Sequence, residues 1–168
     1  MSTLRQRRAA TLCGGVTRIV AGGQTGADRA ALDWAIAHRV PHGGWCPAGR
    51  RAEDGVIDKR YALTELSSRD YRQRTRRNVE DSDGTLILNL GELDGGTHAT
   101  LQFAKRMKRP VLVVQADSAP PEESVRDAAR WLREFNIATL NIAGPRESKR
   151  MGTYAAVTAF LDRLAATV

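Results

Sequence analysis

Ile19-Val20-Ala21-Gly22-Gly23-Gln24-Thr25-Gly26-Ala27-Asp28 decides how this chain folds. A short apolar run, Val16 to Ala21, stops at two glycines, and a third follows three residues later. Asp28 then precedes an alanine-rich run that favours a helix. The pattern predicts a strand, a tight glycine loop and a helix N-terminus. Glycines let the backbone take positive φ and let a ligand approach without a Cβ in its way. The free N–H groups and positive dipole end of the helix suit an anion. Asp28 fits a helix N-cap, and a contact to a cation or ligand hydroxyl is the sharper alternative. Gln24 and Thr25 add side-chain donors beside the loop.

Outward from this loop the same grammar repeats. The first helix is expected from Asp28 to about His38, with Leu32, Ala35 and Ile36 on one face. Gly44 to Cys46 is expected as a short second strand. The segment from Ile57 to Asp70 fits either a loop or a weak helix. A polar helix follows over Tyr71 to Asp81. Thr85 to Leu90 is a continuous apolar run between Gly84 and Gly91, as in a central parallel strand. Gly91 to Thr97 forms a second glycine loop ahead of a helix over Thr97 to Met107, with Leu101, Ala104 and Met107 inward. Val111 to Val114 is the next strand, and Pro120 and Pro121 suit a helix start. Val125, Ala128, Ala129 and Leu132 mark that helix's core face, and Asn136 its end. Ile137 to Ala143 is the last strand, Gly144 to Lys149 a third loop. The final helix carries Val157, Phe160, Leu161 and Leu164 on one face. Repeated βα units predict a Rossmann-like three-layer α/β/α fold with a mostly parallel sheet of about five strands. All three loops follow strands, so they meet at the carboxyl edge of the sheet, where such folds hold ligands.

The chain has 168 residues, enough for one domain with one core, expected over residues 16–168. Residues 1–15 are expected as a disordered basic tail, with an organellar presequence as the alternative. No apolar run is long enough to span a membrane. The net charge of +7 permits nucleic-acid binding, yet no basic–aromatic alternation points to it. Cys13 and Cys46 form no metal-spaced pair, and a reduced cytoplasmic setting is the simplest expectation.

The chemistry lies in the loops. The first is neither the GxGxxG fingerprint nor a P-loop, since it has no lysine. Its glycines suit anion binding or close helix–strand packing. Gly95, Gly96 and Thr97 repeat the logic, with Thr97 as cap or phosphate contact and Thr100 one turn on. Arg146, Ser148 and Lys149 bring charge to the third loop, where Arg grips phosphate with a fork and Lys as a point charge. Trp45 suits either stacking on a flat ring or buried packing. Cys46 fits an inert core thiol. Arg50 and Arg51 are candidate anion contacts. Arg74 and Asn78 share a helix face that reaches the pocket rim. Glu53, Asp54 and Asp58 define no acid/base pair, and His98 has no nucleophile beside it.

These residues also carry a resemblance. Gly22 to Asp33, Gly44 to Arg50 and Ala52 to Gly55 form its first parts. Arg74-Thr75 with Asn78-Val79, Asp83 to Ile87, Gly95-Gly96-Thr97 with Thr100, and Asn141 through Lys149 complete it. Together they resemble the molybdenum-cofactor carrier proteins, a branch of the Rossmann-like SLOG group, from roughly Thr17 to the C-terminus. The resemblance implies homo-oligomers, dimers or tetramers, with molybdenum enzymes as recipients. It implies binding of the molybdenum cofactor, a pterin with a dithiolene and a terminal phosphate, without chemistry on it. A nucleotide would satisfy the same loops, so a nucleotide-processing enzyme or sensor is the alternative. In the related lysine-decarboxylase-like phosphoribohydrolases the second loop reads PGGxGTxxE and ends in a catalytic Glu. Here Thr100 stands at that position, which counts against that hydrolysis. Gly22, Gly23, Gln24, Thr25, Gly26, Asp28, Trp45, Gly95, Gly96, Thr97 and Thr100 are the expected ligand contacts. Arg50, Arg146, Ser148 and Lys149 are expected to neutralise the ligand's charge.

Overall fold

The computed structural model describes residues 11–116 and 121–167. The main sheet is built from β1 (Arg18–Val20), β2 (His42–Gly43), β7 (Gly84–Asn89), β8 (Val111–Gln115) and β9 (Thr139–Ala143). Its order is β2-β1-β9-β7-β8, and every pairing is parallel. The helices are α1 (Ala27–Ala37), α2 (Tyr71–Glu80), α3 (Gly95–Arg106), α4 (Glu122–Glu134) and α5 (Thr153–Ala165). α5 packs on α1 and α4, while α2 packs on α3. The result is the expected three-layer α/β/α fold.

The last strand, β9, lies between β1 and β7. Counting strands from β7 round through β8, β9, β1 and β2 turns the order into 2-1-3-4-5, a common doubly wound arrangement. The chain thus has a circularly permuted form of that order. Its switch point lies between β7 and β9, where ligands bind in such sheets.

The two faces of the sheet differ in chemistry. Successive strand residues point to opposite sides. Leu86 and Leu88 belong to the main hydrophobic core, along with Leu32 of α1, Leu132 of α4 and Phe160 of α5. Fully burying a side chain of this kind contributes on the order of 1.5–3 kcal/mol. Thr85, Ile87 and Asn89 alternate with those leucines and are also buried. Asn78 of α2, Thr97 and Thr100 of α3 and Asn141 of β9 are further buried polar residues. The ligand edge of the second layer is therefore polar.

Two expected elements, the Gly44 to Cys46 strand and the start of α3, come out differently. Gly44 to Cys46 is not one strand. His42–Gly43 pairs with β1, the chain turns at Gly44 with φ of 130°, and β3 (Trp45–Cys46) pairs with β6 (Thr64–Glu65). A Cβ on Gly44 would sit 2.2 Å from the Ala21 carbonyl oxygen, so the turn needs glycine. The segment after Gly49 folds into a hairpin of β4 (Arg51–Ala52) and β5 (Gly55–Val56), then a loop that buries Ile57 and Tyr61. α3 starts at Gly95, two residues before the expected Thr97, and of its three expected inward residues only Ala104 is fully buried.

α4 buries Val125, Ala128, Ala129 and Leu132, and α5 buries Val157, Phe160, Leu161 and Leu164, as their spacing predicts. Pro121 is the N-cap residue of α4, whereas Pro120 lies outside the described residues. Of the expected tail, residues 1–10 lie outside the described residues. Leu12 is buried in the main core and bridges to Val16, so the packed fold starts ahead of Val16.

Candidate functional site

A cavity of about 310 Å3 opens at the carboxyl edge of the sheet, over the switch point. Gly22 and Gln24 line it after β1, Gly95 to Thr97 after β7, and Asn141 to Arg146 along and after β9. α2 closes the remaining side with Tyr71, Arg72, Arg74, Thr75 and Asn78. Its size suits a small-molecule site.

The open helix end is that of α3. Its first-turn N–H groups, on Gly95, Gly96 and Thr97, have no carbonyl one turn before them within the helix. Asp94, the N-cap residue, makes no capping bond. Its carboxylate takes Lys149 Nζ at 2.8 Å and Arg150 Nη2 at 3.4 Å instead. The bond from Lys149 holds the Asp94 carboxyl below its ordinary range. Lys149 is thereby fixed at the cavity lip. Thr97 is buried inside the first helical turn rather than at the cap, and its hydroxyl has no partner among the described residues. Thr100 Oγ1 donates to the Gly96 carbonyl at 2.9 Å.

The N-terminus of α1 is closed, contrary to the expectation from the first loop. Ala27 N donates to the Pro145 carbonyl at 3.1 Å. Gly26, with φ of 77°, lets the third loop lie directly on the helix end, for a Cβ there would meet Pro145 O at 2.4 Å. Gly23 packs under Ile57 and Leu63. Asp28 is not a cap residue either: it sits in the first turn of α1, and its Oδ2 accepts from Gln24 N and from Arg74 Nη1. Gly22 leaves room for that guanidinium, since a Cβ would fall 1.5 Å from Arg74 Nη1. Burial pushes the Asp28 carboxyl up, against the opposing pull of Arg74 and the Gln24 N–H.

Glu53 ties three of these segments together. Its carboxylate accepts from the Thr25 hydroxyl, from Ser148 N at 3.2 Å and from the Ser148 hydroxyl, and lies 3.6 Å from Arg146 Nε. Its own N–H donates to Gln24 Oε1 at 2.9 Å. Partial burial raises this carboxyl, but the bonds from Ser148 and Thr25 outweigh it and hold the group below its ordinary range.

The cavity therefore gathers Gly22, Gln24, Asp28, Gly95, Gly96, Thr97, Thr100, Arg146 and Lys149. Gly23, Thr25, Gly26, Trp45, Arg50 and Ser148 do not line it. Arg50 is spent on the chain itself, donating to the carbonyls of Ile57, Asp58, Tyr61 and Leu63 at 2.8–3.2 Å. Trp45 faces a second cavity, where Nε1 donates to Asp81 at 2.7 Å and Arg77 covers the ring at 4.6 Å. Cys46 is buried, and burial pushes its thiol up. Asn141 lines the cavity although only its place in the family-like segment drew notice. The sequence assigns Glu53 no role, because its partners lie 28 and 95 residues away. Arg74 was legible from its helical spacing with Asn78.

The model of the circularly permutated YpsA SLOG family matches residues 19–165. The crystal structure named "Putative molybdenum carrier protein" from Syntrophus aciditrophicus SB is 45% identical, with a TM-score of 0.87, over 90% of this chain and 96% of that one. A structure of (E)-4-hydroxy-3-methyl-but-2-enyl diphosphate reductase aligns at 10% identity over 88% of this chain and 59% of that one, with a TM-score of 0.37, too slight to bear on fold or function. No curated protein matches. The matched family model spans both glycine loops, the Glu53 segment and the third loop, nearly the whole described chain: the chain belongs to the circularly permutated YpsA SLOG family.

Proposed function

We propose that the cavity binds the molybdenum cofactor as cargo and holds it without converting it. The observation that carries this is the open N-terminus of α3 beside Lys149, inside a cavity of about 310 Å3 at the switch point. Three aligned N–H groups, the helix dipole and an ammonium suit a terminal phosphate. Thr97 Oγ1 adds a free hydroxyl, and Arg146 a second cation at the lip. The pterin then lies inward, against Gly22, Asp28 and Asn141. Among the described residues no three His, Cys, Asp or Glu side chains are grouped to hold a metal, so molybdenum would arrive on the dithiolene sulfurs of its own ligand.

A holding role fits the side chains present. Thr100, at the place of the hydrolases' Glu, already donates to a backbone carbonyl. Asp28 is engaged by Arg74. The carrier role brings with it a cytoplasmic homo-oligomer that hands its cargo to molybdenum enzymes. Among the described residues no helix is long and apolar enough to cross a membrane.

The test is purification from cells that make molybdenum cofactor, followed by identification of the bound ligand. Pterin and molybdenum in stoichiometric amounts are the expected result. A nucleotide without pterin would overturn the carrier role and favour a nucleotide sensor or enzyme in the same cavity.

A further inference from the structure

The cavity lining includes buried acceptors as well as donors. Asp28 is only 7% exposed and lines the cavity. Its Oδ2 is engaged twice, by Arg74 Nη1 at 2.7 Å and by Gln24 N at 3.2 Å. Its Oδ1 makes no hydrogen bond among the described residues, and it is not one of the sealed, unpartnered atoms. Asn141 is 3% exposed and lines the same cavity. Its Nδ2 donates to Thr85 Oγ1 at 3.2 Å, while its Oδ1 is likewise unbonded and unsealed. Buried acceptors of this kind ordinarily have partners. A phosphate is a poor partner for them, because its mostly ionised oxygens accept rather than donate near neutral pH and the Asp28 carboxylate repels it.

We propose that Asp28 and Asn141 read the donor edge of a 2-amino-4-oxopyrimidine ring, the edge that a pterin and a guanine share. Anion binding by α3 and Lys149 in the same cavity is the premise on which this rests. In the lactam form of that ring, a ring N–H and the exocyclic amino group lie side by side. Two donors on one edge answer two free acceptors lining one cavity. Adenine places its amino group beside an acceptor nitrogen and leaves one of the two oxygens unmet. The cavity thus carries donors for an anion together with free acceptors for a heterocycle.

The test is calorimetric titration of the full chain with inorganic pyrophosphate, guanosine monophosphate, adenosine monophosphate and pterin-6-carboxylate. The expected result is binding of guanosine monophosphate about tenfold or more tightly than adenosine monophosphate, the size of one charged hydrogen bond. Asp28→Asn and Asn141→Leu each bring that ratio toward one. Should Asp28→Asn fail to fold, Asn141→Leu decides. Tighter binding of pterin-6-carboxylate than of guanosine monophosphate identifies a pterin as the source of the edge, and the reverse a guanine. Equal affinity for the two nucleotides, with pyrophosphate still bound, would overturn the edge recognition and leave the anion site standing. No binding of pyrophosphate or of any ring compound would overturn both.

Discussion

Arg74 Nη1 lies 2.7 Å from Asp28 Oδ2, with the two side chains 13% and 9% exposed. The pair joins α2 to α1 beside the cavity that both residues line, and Gly22 makes the space it occupies. Removing one member of a buried pair leaves the other charge without compensation. Arg74→Ala should therefore cost about 3–5 kcal/mol. Gly22→Ala should also destabilise, by driving the guanidinium from its place. In the Arg74→Ala background the same glycine change should cost much less, and denaturant unfolding of the double-mutant cycle measures that coupling. Simple addition of the two losses would show that Gly22 does not serve Arg74.

Gly96 separates binding from folding. A Cβ there meets nothing within 4 Å. Gly96 lines the cavity, however, so the added methyl would take up room beside the α3 end. Gly96→Ala should leave stability unchanged or raise it by up to about 1 kcal/mol, since alanine loses less freedom in a helix. Pyrophosphate affinity should fall at least as far as in Lys149→Ala. Thermal unfolding and calorimetry on the same sample check both halves. Unchanged affinity would remove the α3 end from the site.

Glu53 makes the loop assembly sensitive to acid. Its folded carboxyl ionises below the ordinary value of 4.5, because the bonds from Ser148 and Thr25 outweigh the effect of burial. The stabilisation is then present above about pH 4.5 and is lost as the pH falls through the folded value. Glu53→Gln should narrow the stability difference between neutral and acid pH in urea unfolding. A variant with the same pH slope as the parent would place acid sensitivity elsewhere.

Tyr154 shares Asp33 with Tyr61. Its hydroxyl donates to Asp33 Oδ2 at 2.7 Å, and that of Tyr61 to Oδ1 at 2.6 Å. Burial, then the bond to Asp33, pushes the Tyr154 phenol up to about 12. This stabilisation is complete below the unfolded value of 10.0 and is lost as the pH rises through about 12. Phenolate absorbance should show Tyr154 and Tyr61 both ionising above the ordinary tyrosine range, and Asp33→Asn should bring both back toward it.

The sequence alone determined the alternation of strand and helix, the core faces of α4 and α5, and the meeting of three loops at one sheet edge. Those features are local. Val125, Ala128, Ala129 and Leu132 sit a few residues apart, and their spacing is enough to turn one face inward. The family-like motifs also sit in short windows, so the resemblance was legible before any contact was known.

Only the tertiary structure decided what each loop does. The insertion of β9 between β1 and β7 brings Pro145 onto α1, which closes the helix end that the first loop had advertised and leaves α3 as the open one. Arg50 looked free for an anion, but the folded loop gives it four backbone carbonyls. Glu53 looked idle until Thr25 and Ser148 reached it from 28 and 95 residues away. The physical reason is common to all three. A helix or strand is set by neighbours in sequence, whereas the partner of a charged or polar group is set by whichever distant segment the fold carries to it.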